Sequence, residues 1–84
     1  MRSDARNQAS VLEDQAEVEA IHMEQRAGAL SQRAKQAGGF TGGRFEVQAD
    51  AFRKEAKIVR EQAGQQADAI KEAADARIKA FESR

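Results

Sequence analysis

Gly38-Gly39-Phe40-Thr41-Gly42-Gly43 divides an otherwise unbroken helical pattern almost at its middle. Each glycine inside a helix costs roughly 1 kcal/mol relative to alanine, so four in six residues predict a break in the chain. Nothing comparable occurs on either side. Proline, the strongest helix breaker, is absent from all 84 residues. The expected architecture is therefore all-α. A first helix runs over about 4–37, a glycine-rich turn over 38–43 and a second helix over about 44–82.

The apolar spacing supports this division. Ala5, Ala9, Leu12, Ala16, Ala20, Met23, Ala27, Leu30 and Ala34 recur at the helical period. Beyond the turn, Phe45, Ala49, Phe52, Ala56, Val59, Ala63, Ala67, Ile70, Ala74, Ile78 and Phe81 repeat it. A short connection makes such helices antiparallel neighbours, a coiled-coil-like hairpin. Its seam is expected to comprise Leu12, Ala16, Ala20, Met23 and Leu30 against Phe52, Val59, Ala63, Ala67 and Ile70. Folding about the centre of the glycine cluster pairs Leu30 with Phe52, Met23 with Val59 and Leu12 with Ile70. Gly38 suits the end of the first helix, and Thr41 or Gly43 would cap the second.

A second apolar stripe lies well away from that seam. Val47, Ala51, Ile58, Ala69, Ala73 and Ala76 form it on the second helix, and Val11 and Val18 are its thinner counterpart on the first. Two seams are more than one partner helix can cover. Chains this short also seldom stabilise a core without staples, metal or oligomerisation. These residues are therefore expected to form a face that packs on further copies or on a larger assembly, giving a helical oligomer.

Chemistry-bearing constellations are sparse. With no cysteine there is neither a disulfide framework nor a thiolate metal site. His22, the single histidine, follows Glu19 at the Glu-x-x-His spacing of di-iron bundles, but the main seam carries no carboxylate, and no metal or cofactor is expected. The serines and Thr41 have no base or orienting group to activate them, so no catalytic role is assigned. Arg44, Arg53, Lys54, Lys57 and Arg60 are candidate contacts for a phosphate backbone, though no base-reading or stacking motif accompanies them. Phe40, at the tip of the turn, is a candidate docking anchor. No apolar run is long enough to span a bilayer, and the opening MRSDARNQ lacks the apolar core of a secretory signal, so synthesis in the cytoplasm is expected.

Three stretches carry a resemblance: Gln8-Ala9-Ser10-Val11-Leu12-Glu13-Asp14-Gln15-Ala16, Gly42-Gly43-Arg44-Phe45-Glu46-Val47-Gln48-Ala49-Asp50 and Ile58-Val59-Arg60-Glu61-Gln62-Ala63. In composition and order they resemble the internal virion, or ejection, proteins of tailed bacteriophages. That resemblance implies a structural protein located in the virion, made in the host cytoplasm. Its partners would be itself, in a ring for example, and other proteins near the portal or tail, with a part in genome exit. The chain is shorter than such proteins usually are and has no membrane-active apolar segment. Phe40-Thr41-Gly42 also resembles the Trp-x-Gly turn of small secreted two-helix proteins, with phenylalanine in place of tryptophan. That likeness implies an exported hairpin forming homo- or heterodimers, although the tyrosine-based export signal is missing.

Overall fold

The computed structural model describes residues 2–83, and the side chains of residues 4–83. Two helices, α1 (Arg2–Ala37) and α2 (Gly39–Glu82), account for nearly all of it, with no strand among the described residues. They lie side by side in a rod of 69 × 15 × 8 Å. The two-helix hairpin expected from the apolar spacing is the observed fold.

The turn is tighter than expected. Instead of a six-residue loop, only Gly38 of residues 38–43 lies outside the helices. Its backbone angles, φ 64° and ψ 176°, belong to a region that is essentially restricted to glycine. Gly39 follows at φ 57°, and no other described residue has a positive φ. The Gly38 N–H donates to the Ala34 carbonyl at 2.9 Å, closing α1, and the Gly42 N–H donates to the Gly38 carbonyl at 2.9 Å, opening α2. The cap of α2 is therefore Gly38, which makes no side-chain cap bond, and neither Thr41 nor Gly43 takes that place.

Gly42 and Gly43 are helical, and Gly42 has a packing reason to lack a side chain. A Cβ on it would stand 2.6 Å from the carbonyl oxygen of Ala34 across the hairpin. That contact sets Ala34 level with Gly42, equally far from Gly38. The same count outward sets Ala27 level with Ala49, Ala20 with Ala56 and Ala9 with Ala67, and all six are buried. Leu30 then falls beside Phe45 and Met23 beside Phe52. The pairing expected from the loop centre is displaced by nearly a heptad, because the chain reverses at the first glycine of the cluster and not at its middle.

Small layers thus alternate with bulky ones near the turn. The seam advances in alternating steps of three and four residues, with consecutive fours at Leu12-Ala16-Ala20 in α1, at Val59-Ala63-Ala67 in α2 and, near the open end, at Ile70-Ala74-Ile78. Such stutters locally unwind a coiled coil. The first two overlap in height, since Leu12, Ala16, Val59 and Ala63 line one shared groove. The layers therefore stay matched through the small-residue waist.

The fully enclosed apolar residues among those described are all alanines, among them Ala9, Ala20, Ala27, Ala49, Ala56 and Ala67. Leu12, Met23, Leu30, Phe52, Val59 and Ile70 flank that line and stay partly in contact with water. Alanine layers let two backbones approach closely, but each contributes little apolar area, and area is what drives burial. Counted from Gly38, the start of α1 is level with Ala74, so the last turns of α2 overhang. Phe81, expected in the seam, is accordingly 74% exposed.

Candidate packing surfaces

The groove between the helices opens on two unlike flanks. On one, Arg60 reaches across to Glu17 and Glu24, two carboxylates one heptad apart on α1. Its Nε and Nη2 donate to Glu17 at 2.9 and 2.8 Å, and its Nη1 and Nη2 donate to Glu24 at 3.0 and 2.8 Å. Lys71 lies 3.8 Å from Glu13 on the same flank. Nearer the turn, Arg53 donates to Asp50 at 2.8 Å and to Ser31 Oγ at 2.7 Å.

The hydrogen bonds from Arg60 hold the Glu17 and Glu24 carboxyls below their ordinary range; partial desolvation opposes this, and the coulombic pull of the guanidinium adds to it. The two carboxylates in turn raise the Arg60 pKa. Groups this open to water are screened by salt and add little to stability. Their geometric content is greater: a guanidinium straddling two carboxylates seven residues apart fits only one height of α2 against α1. Glu17 and Glu24 were not singled out from the sequence. Their signal was the heptad spacing beside the apolar seam, the place where interhelical ion pairs select register.

Four of the five guanidinium N–H donors of Arg60 are engaged by carboxylates, and Arg53 is engaged by Asp50 and Ser31. Lys57 is exposed between Arg53 and Arg60 on the same helix face, whereas Arg44 and Lys54 are exposed at other angles around α2. Of the five candidates for phosphate contact, Arg53, Lys57 and Arg60 share one face, and two of those three are already bonded to side chains of the hairpin.

The opposite flank carries a run of glutamines in its middle and towards the open end. Leu12, Gln15, Val59, Gln62 and Gln66, with Glu19 at the edge, surround one shallow groove. Towards the open end, Gln8, Ile70, Ala73 and Ala74 surround a second, with Asp4 and Arg77 at its rim.

The stripe expected to face partners is exposed throughout. Val11, Val18, Val47 and Ile58 are the large residues in it, Val47 being 71% exposed, and Ala51, Ala69, Ala73 and Ala76 accompany them. Ile21, which the periodicity did not bring forward, is exposed as well. Phe40 is 84% exposed, but it stands in the first turn of α2 and not on a loop. Phe40-Thr41-Gly42 is thus helical where a Trp-x-Gly likeness would put a turn.

His22 and Glu19 both lie exposed on α1. Among the described residues no group of three or more His, Asp or Glu side chains is placed to hold a metal ion, and no helix is long and apolar enough to cross a membrane. Comparison with protein families, with curated proteins and with solved structures finds no match to this chain. Fold and surface together define a coiled-coil-like helical hairpin with an alanine core and apolar residues left along its outer faces.

Proposed function

We propose that this chain is a structural protein that works by packing its helices into a larger assembly, and that the assembly is the virion of a tailed phage. In this reading it is made in the host cytoplasm and packs on copies of itself and on proteins near the portal or tail. The observation that carries the packing role is the division of apolar residues: among the described residues those enclosed are alanines of the seam, while every larger apolar side chain keeps contact with water. A rod built this way presents apolar surface along its whole length, and large exposed apolar surface marks interaction sites. The phage assignment is supported by the three Gln/Ala-rich stretches and their order about the glycine turn.

Mass spectrometry of particles purified from a lysate of cells that carry the gene tests the reading. The expected result is the chain in intact particles at a fixed copy number, in a multiple that suits a ring. Its absence from washed particles, with the protein abundant elsewhere in the lysate or in the medium, would overturn the virion assignment.

A further inference from the structure

We propose that the glutamine-lined flank, the side of the groove carrying Gln15, Gln62 and Gln66, is where a second copy of this chain docks antiparallel, forming a four-helix bundle. The inference deepens the packing role above and rests on it.

Surface area argues first that something covers the hairpin. The chain exposes 6484 Å² for a mass of 9.2 kDa. Folded monomers of that mass expose about 4,900 Å², so roughly 1,500 Å² is in excess. Removing that excess from each of two copies would bury about 3,000 Å² in total, within the range of obligate homodimers.

Chemistry then selects the flank. A two-fold interface sets like against like near its axis, so it must be self-complementary. A carboxamide is both donor and acceptor and can pair with its own copy. The ion-paired flank has no such property, and Arg60, Glu17 and Glu24 already satisfy one another there. On the glutamine flank, Leu12, Val59 and Ile70 supply half-buried apolar surface beside the amides.

Charge selects the direction. The half of the rod nearest the turn, residues 20–56, holds six basic and four acidic side chains, and the remainder holds eight basic and ten acidic. Reversing one copy lays each net-positive half on a net-negative one. Gln62 lies close to the middle of α2 and so close to the two-fold axis of an antiparallel pair.

Because the chain has no cysteine, single-cysteine variants report proximity without background. Gln62→Cys reads the proposed interface. Gly64→Cys reads the opposite flank at nearly the same height, where that glycine lines the groove beside Arg60 and a Cβ would meet nothing. Sedimentation of the unaltered chain at micromolar concentration is expected to give a dimer. Mild oxidation is expected to link Gln62→Cys almost completely and Gly64→Cys hardly at all, with both reduced variants helical by circular dichroism. A monomer, a dimer linked through Gly64→Cys instead, or a dimer linked through neither variant would overturn the proposal. The packing role is judged separately by particle composition, so the two can fail independently.

Discussion

Gly42 lies so close to Ala34 that a single added carbon would collide with the Ala34 carbonyl oxygen at 2.6 Å. This approach is the tightest point of the hairpin for which a glycine is required, and it fixes the height of α2 against α1. Gly43, one residue further, faces open space. The adjacent pair therefore makes a controlled comparison. Gly42→Ala is expected to destabilise the hairpin by about 1–3 kcal/mol through overpacking. Gly43→Ala is expected to stabilise it by about 0.5–1 kcal/mol, since alanine loses less backbone freedom in a helix. Urea melts of the two variants would check the opposite signs, and equal shifts would contradict the packing at Gly42.

Gly38 tests the reversal itself. Alanine at φ 64° and ψ 176° would be strained by about 1–3 kcal/mol. Gly38→Ala is expected to melt earlier and to populate extended forms in which the two helices run on as one. Solution scattering should then report a radius of gyration above the 19.4 Å of the hairpin. An unchanged value with unchanged stability would mean that the turn is made elsewhere.

Arg60 gives a pH signature with a definite sign. Glu17 and Glu24 titrate below their ordinary value of 4.5 when folded, chiefly because Arg60 hydrogen-bonds their charged forms. A depressed carboxyl pKa favours the folded state above the unfolded value, and the benefit is lost as pH falls through the folded one. The unaltered chain should therefore exceed Arg60→Gln in melting temperature at neutral pH, with the gap closing below pH 4.5. High salt should narrow the gap, because these groups are open to solvent. A gap constant from neutral to strongly acid pH would show that Arg60 acts through packing alone.

Ala56 tests the alanine core. It is wholly buried, and its neighbour Lys57 is exposed. Ala56→Leu is expected to cost about 1–3 kcal/mol by forcing the helices apart. Lys57→Leu should change stability by less than about 0.5 kcal/mol. Thermal melts would show whether the two differ.

Phe40 separates folding from docking. With 84% of its surface exposed, truncation to alanine should leave the melting of the isolated chain within about 0.5 kcal/mol. If Phe40 anchors the hairpin to a larger assembly, Phe40→Ala should be depleted from particles that incorporate the unaltered chain. Equal incorporation would remove it from the docking surface.

The sequence by itself determined the class of fold. Absence of proline, the helical apolar period and a central glycine cluster are local properties, and each acts through the backbone or through one helix face. They were enough to give two helices, an antiparallel hairpin, the alanines of the seam and the exposure of Val11, Val18, Val47 and Ile58. Which glycine makes the turn was decided by tertiary structure. Gly38 and Gly42 look alike in sequence, but one supplies a positive φ while the other makes room for the Ala34 backbone. From that choice followed the register of Leu30 on Phe45, the overhang that leaves Phe81 in water and the cross-helix grip of Arg60 on Glu17 and Glu24. Periodicity along one helix carries no information about its height against another. That height is set only when the two surfaces meet.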